Sequence, residues 1–144
     1  MTAQNYDNHR QVVPLFHVVL FFMLVGSLIG SCVNLYVSWG DHQRLYSASL
    51  IFVIFVALLM LFFFTRIFAI KAQDRAIRAE ENLRHYVLTG KLLDPALSIH
   101  QIIALRFASD QELAPLAQRA AKDNLTPDAI KRAVQNWRAD THRV

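Results

Sequence analysis

The chain has 144 residues, 54% of them hydrophobic and 18% charged, with a formal net charge of +4; a chain of that length ordinarily forms one compact domain. Residues 1–65 carry only Asp7, Arg10, Asp41 and Arg44, whereas 66–144 carry the other thirteen Lys and Arg and nine Asp and Glu. That segregation excludes an evenly mixed soluble surface, and the lone Cys32 excludes an intramolecular disulfide or a cysteine-rich zinc site.

Residues 1–11 read as a polar N-terminal segment, expected in the cytoplasm. From Val12 to Trp39 the chain then holds no charged residue. A membrane core is about 30 Å thick and a helix rises about 1.5 Å per residue, so about 20 apolar residues span it. The stretch 12–39 therefore predicts a first transmembrane helix. Its apolar run is too long for a cleaved signal peptide. Ile29–Gly30–Ser31–Cys32 resembles a lipoprotein cleavage site, but no basic residue precedes Asp7 and the apolar run continues past Cys32, so Cys32 is read as a thiol within the span.

Within this span His17 follows Pro14 by three residues. An intramembrane histidine is a candidate functional group, but residues 45–70 offer no second histidine for a haem, so no cofactor is expected and His17 is read as an interfacial hydrogen-bonding group. Gly26 and Gly30 form a small-xxx-small pair, with Ser27, Ser31, Asn34 and Ser38 beside them. Such residues let helix backbones approach, either across the hairpin or against another subunit.

Gly40–Asp41–His42–Gln43–Arg44 is a five-residue link, which makes the flanking helices antiparallel neighbours. Tyr36, Trp39 and Tyr46 gather at this end as an aromatic belt. The second span, 45–70, includes Phe62–Phe63–Phe64, which cannot share one face of a surface helix. Arg66, Lys71, Arg75, Arg78 and Arg84 follow it, while the link holds only Arg44. The positive-inside bias then predicts a membrane hairpin at 12–70 with both termini cytoplasmic.

Beyond the hairpin the second span is expected to run on as a juxtamembrane helix, 71–93. Ala72, Ala76, Ala79, Leu83 and Tyr86 recur at steps of four and three as an apolar stripe. Asp74, Arg75, Arg78, Glu80, Glu81 and Arg84 look like a solvated face with weak local ion pairs, and Gly90 like its stop signal. Residues 94–144 predict a three-helix domain. Ser98 with Gln101 and Ser109 with Glu112 spell two capping boxes. Pro115 falls late in the second helix, which suggests an irregular or delayed start. Thr126 caps a third helix opened by Pro127, read as 127–139 with Ile130, Ala133, Val134 and Trp137 as its buried face. Three helices this short are marginal alone and are expected to pack against the 66–90 helix or a second copy.

Several strings resemble an uncharacterised bacterial family of small two-span membrane proteins, a domain of unknown function. They are Gln4–Asn5–Tyr6, Asn8–His9, Pro14 and His17; Asp74–Arg75, Arg78–Ala79–Glu80–Glu81 and Leu83–Arg84; the run 101–110; and Asn136–Trp137–Arg138–Ala139–Asp140. The resemblance implies a bacterial membrane origin and carries no activity or ligand.

The fold class expected is thus all-α: a transmembrane hairpin, a helical extension and a small cytoplasmic helical domain. No histidine pair has metal-ligand spacing on one helix, Glu80 and Glu81 point to different sides of a helix, and no nucleophile-elbow pattern occurs, so no catalytic or metal site is expected. The function expected is a non-enzymatic scaffold or accessory subunit, with membrane lipid and either a second copy or a larger membrane complex as partners. Its candidate interaction residues are the N-terminal group Asn5, Tyr6, Asn8, His9 and His17, the small-residue seam Gly26, Gly30 and Asn34, and Arg75, Arg78, Glu81, Trp137 and Arg138. The N-terminal group is expected to bond Arg75, Arg78 or Glu81. The alternative is a membrane-tethered binder of nucleic acid, through Lys131, Gln135 and Arg138 on one face of the last helix, or of anionic lipid through Arg66, Lys71 and Arg75. Nine acids dilute that basic footprint, which makes nucleic acid the weaker expectation.

Overall fold

The apolar stretches and the charged stretch fold as separate bodies. The computed structural model describes residues 5–6 and 13–140. Its contacts divide the chain into an apolar unit, Val12–Ala69, and a second unit made of Met1–Gln11 and Ile70–Val144. The described residues are helical apart from connecting segments and one isolated β-bridge.

The apolar unit opens with a π-helical turn, Leu15–Leu20, that runs into α1, Phe21–Val37. Together they give 23 residues, Leu15–Val37, long and apolar enough to cross a membrane, and α2, His42–Thr89, contains a second such stretch. Only 11% and 6% of their apolar windows are buried, unlike the core helix of a soluble protein. The turn between them is tighter than the five-residue link read from the sequence. Gly40 takes φ +103°, a conformation open to glycine, and Asp41 caps α2 by accepting the Gln43 and Arg44 N–H groups at 3.2 and 3.3 Å.

The hairpin closes through aromatic rings and small residues. Phe16 stacks on Phe62 with centroids 4.6 Å apart, and Phe21 meets both Phe62 and Phe63. Ser31, Ser38 and Ala48 are buried, so the serines, rather than the glycines, face inward. The Ser31 hydroxyl donates to Leu28 O at 2.7 Å, which satisfies it within its own helix.

α2 does not stop at the end of its apolar stretch. It continues unbroken into the second unit and ends at Gly90, whose φ of +72° and N–H bond to Tyr86 O at 2.7 Å form a left-handed cap. The extension expected at 71–93 is therefore the last part of the same helix.

The second unit adds α3 (Ile99–Leu105), α4 (Asp110–Lys122) and α5 (Pro127–Ala133). The Ser98–Gln101 capping box is complete, with both reciprocal bonds, and the Thr126 hydroxyl accepts the Ala129 N–H at 3.2 Å. Ser109 departs from expectation: its side chain makes no cap bond to the helix. α4 also starts on time, at Asp110, and carries Pro115 inside it; proline there removes one helix bond without delaying the helix.

The core of this unit gathers Leu93, Leu97, Ile102, Leu105, Leu113, Ala117, Ala120, Ile130 and Val134. Burying each large aliphatic side chain contributes about 1.5–3 kcal/mol. α3 packs on both α4 and α5. The Gln101 side chain, 5% exposed, crosses this core to donate to Leu125 O at 2.8 Å, so one residue both caps α3 and ties it to the α4–α5 turn.

The third helix is shorter than the sequence suggests. α5 ends at Ala133, and Val134 is extended at φ −70°, ψ 122°. Competing partners explain the early stop. Glu112 accepts the N–H groups of Gln135 and Asn136 at 3.2–3.3 Å, and Trp137 forms an antiparallel bridge with Ala108, where Arg138 N–H reaches Phe107 O at 2.8 Å. The Phe107 and Trp137 rings lie 4.8 Å apart.

Candidate interaction surface

In the second unit α2 presents two unlike faces, and polarity does not sort them. The face turned to the short helices carries Ile77, Glu81 and His85, all under 9% exposed. These residues recur every four positions, one per turn. Glu81 and Arg84, read from the sequence as solvated, have side chains only 7% and 12% exposed.

Pairing makes that burial tolerable. The Arg84 guanidinium donates to Glu81 Oε2 at 3.0 Å, to Asp110 Oδ1 at 2.7 Å and to the Ala108 carbonyl at 2.7 Å. One side chain thus joins α2 to the α3–α4 turn. Arg138 Nη1 lies 3.8 Å from Glu81 Oε1, and Arg106 Nε 3.2 Å from Asp140 Oδ2. His85 Nδ1 lies 2.7 Å from Lys91 O, and Leu93 N–H bonds Asn82 Oδ1 at 3.2 Å, so the chain after Gly90 is fastened back onto the helix.

A groove of about 330 Å³ runs between this face and the C-terminal segment, lined by Gln73, Ala76, Ile77, Glu80, Glu81, Arg106 and Arg138–Asp140. Its carboxylates, Glu80, Glu81 and Asp140, face two guanidiniums, Arg106 and Arg138, so charges of both signs line it. Among the described residues no group of three or more metal-ligating side chains comes together.

The opposite face of α2 carries the apolar stripe. Ala72, Ala76, Ala79, Leu83 and Tyr86 are all exposed, Leu83 at 64% and Tyr86 at 53%. At about 100° per residue these positions centre roughly half a turn from Ile77, Glu81 and His85. The domain packs on the charged, paired side of the helix and leaves the apolar side open.

The chain belongs to a family of unknown function (DUF6526).

The family's model matches residues 1–144, and the strings that carry the resemblance run from Gln4 to Asp140. No curated protein and no solved structure matches the chain. The family carries no assigned activity, so the chemistry of the surfaces must speak for itself.

The predicted interaction residues do not form one site. Asn8 and His9 lie outside the described residues. Tyr6, expected near Arg75, Arg78 or Glu81, lies instead on α5: its hydroxyl donates to Asp128 Oδ1, Arg132 donates to that hydroxyl at 3.3 Å, and the Arg132 guanidinium sits 5.2 Å over the ring. The Tyr6 hydroxyl bond, with Arg132 and Lys131 nearby, holds the Asp128 carboxyl below its ordinary value. Asn5 is exposed beside it. His17 is served locally, its Nδ1 lying 3.1 Å from Val13 N and 3.0 Å from Val13 O.

Gly26, Gly30 and Asn34 are exposed, and a Cβ added at either glycine would meet nothing within 4 Å; the pair does not mediate the hairpin contact. Arg75 and Arg78 are exposed, while Glu81 is buried. Trp137 and Arg138 are not on α5, so Lys131, Gln135 and Arg138 share no helix face; the backbone beyond Val134 is extended and held by Glu112 and Ala108. The recognition-helix geometry expected of the nucleic-acid alternative is absent there.

Sequence reasoning missed three further residues. Glu112 clamps the 135–136 backbone; burial raises its pKa, yet Asn136 N–H, Ser109 and Gln135 N–H together hold the carboxyl below its ordinary value. Arg84 is the hub described above. Phe107, fully buried, lies under Arg106 at 4.6 Å and beside Trp137. The clue to Arg84 was available: Glu81 and Arg84 lie three apart in step with Ile77.

Proposed function

We propose that this chain is a non-enzymatic, membrane-anchored scaffold or accessory subunit. The α1–α2 hairpin is its anchor in a bacterial cytoplasmic membrane, both termini are cytoplasmic, and the second unit is the part that binds partners or further copies. The observation that carries this reading is the open apolar face of α2 beside a domain whose core is otherwise closed. An apolar helix face left in water raises the free energy of the isolated chain by the area it exposes, and association removes that cost.

The anchor reading is supported by two apolar helices that stay largely unburied and by Arg66, Lys71, Arg75 and Arg78 following the second apolar stretch. Tyr6 on α5 supports a common side for the two termini, since the chain before α1 and the chain after α2 meet in one unit.

The test is a mild-detergent purification of the full chain with mass measurement of the intact complex. A defined multimer, or a stoichiometric companion, is the expected result. A lone monomer in detergent refutes the scaffold reading, and a monodisperse molecule recovered without detergent refutes the anchor.

A further inference from the structure

Resting on the scaffold reading, we infer that the open face of α2 is the seam of a parallel two-stranded coiled coil with a second copy of this chain. The steps between Ala72, Ala76, Ala79, Leu83 and Tyr86 are four, three, four and three, which is the a/d spacing of a heptad repeat. With Ala76 and Leu83 at a and Ala72, Ala79 and Tyr86 at d, the register of every other residue follows.

Burial within the unit agrees with that register. Ile77 and Arg84 fall at b, His85 at c, and Asp74 and Glu81 at f. Those are positions on the back of a two-stranded coil, and the domain covers them: Ile77, Glu81 and His85 are buried, and Asp74 and Arg84 are partly so. On the flanks Gln73 at e and Asn82 at g are also partly buried, while Arg78 at c is exposed. The a and d positions are all exposed. The domain occupies the back of the helix and leaves the seam exposed, with Ala76 and Glu80 at the rim of the groove described above.

Charge complementarity names the occupant. Arg75 falls at g and Glu80 at e, five residues on, and both are exposed. In a parallel pair a g residue faces the e residue of the following heptad on its partner, so Arg75 of each copy meets Glu80 of the other, twice by symmetry. An antiparallel pair loses that g-to-e match. Copies anchored in one membrane carry α2 out on the same side, which supplies the parallel orientation. Alanines at three of the five seam positions let the helices approach toward the short end of the 8–10 Å range, while Leu83 and Tyr86 supply the larger apolar contact.

The test uses the full chain in native membranes with Cys32 replaced by serine. Ala79→Cys, at d, is expected to form a disulfide-linked dimer under copper-catalysed oxidation, and Arg78→Cys, at c, is not. Glu80→Arg in the Ala79→Cys background is expected to lower the cross-linked fraction, and adding Arg75→Glu is expected to restore it. Trp137 fluorescence, read in a Trp39→Phe background and unchanged across the set, verifies that each domain has folded. If Ala79→Cys fails to cross-link while the intact mass is still multimeric, this seam is wrong and the scaffold reading stands. If the mass is that of a monomer, both fall. Cross-linking at Ala79→Cys that ignores both charge changes overturns the parallel register.

Discussion

Arg84 offers the sharpest test of how the second unit is held to α2. Replacing it with methionine keeps the stem and removes the guanidinium. Glu81, with a side chain 7% exposed, then keeps among the described residues only Arg138, 3.8 Å away and itself 55% exposed. Removing one partner of a buried ion pair costs about 3–5 kcal/mol. The Ala108 carbonyl, on a fully buried residue, also loses its donor, a loss in the range of about 1–3 kcal/mol. These terms overlap, and Arg84→Met is expected to destabilise the unit by about 3–5 kcal/mol. Adding Glu81→Leu removes the stranded carboxylate, so the double variant retains mainly the carbonyl's share, about 1–3 kcal/mol. The assay is urea unfolding in mild detergent, followed by tryptophan fluorescence in a Trp39→Phe background. Trp137 then reports alone, from its place against Phe107. A loss below about 1 kcal/mol for Arg84→Met, the size of an exposed pair, would refute the reasoning, as would a double variant no better than the single.

In the hairpin, Gly30→Leu is expected to leave the α1–α2 contact intact and Ser31→Leu to disrupt it, because only Ser31 faces inward; cysteine cross-linking between the helices checks this, and equal tolerance at both sites would place the seam elsewhere. Glu112→Ala is expected to speed amide exchange at Gln135 and Asn136 and to cost about 1 kcal/mol, at the low end for a charged acceptor because the carboxylate is open to water. Since its folded pKa is lowered, the wild-type clamp holds above the ordinary glutamate value and is lost as pH falls through the folded one; exchange rates flat across that acid range would contradict it. Tyr6→Phe is expected to return the Asp128 pKa toward its ordinary value, read by carboxyl-carbon chemical shifts during an acid titration. No change would show that the Tyr6 bond does not set it.

The parts of this fold legible in the sequence are those fixed by neighbours in the chain. Ser98 with Gln101, Thr126 with Pro127, and Gly90 all act within a few residues, and each sits where its chemistry predicts. What escaped was set by distant partners. α5 stops at Ala133 because Glu112 and Ala108, over twenty residues earlier, capture the backbone that would have continued it. Helix periodicity alone ran the element on past Trp137, whose ring packs against Phe107 at an extended stretch of backbone. The two faces of α2 were exchanged for a similar reason. Hydropathy marks Leu83 and Tyr86 as the face to bury, but Arg84 satisfies Glu81 so fully that the charged face could be covered instead. The family resemblance, by contrast, extended over the chain as the family's model does.

Magnitudes decide how much the open face of α2 can do. Full burial of a leucine or an aromatic ring contributes about 1.5–3 kcal/mol, so two copies of Leu83 and Tyr86, partly exposed to begin with, offer several kcal/mol between them. Association of free molecules costs about 4–15 kcal/mol in lost translation and rotation, and a two-heptad peptide would also have to order its helix, which is unfavourable at that length. The present arrangement removes the second cost, because α2 is already held helical by the domain on its back and by its continuation toward the apolar unit. Anchoring in a shared membrane would lower the first, since copies confined to a surface with one orientation meet at a raised effective concentration. A seam of three alanines, one leucine and one tyrosine is therefore too weak to join copies freely diffusing in water. In the proposed dimer it joins copies that a bilayer has already aligned, and the apolar hairpin and the open helix face then act as two halves of one device rather than as an anchor with an unrelated domain attached.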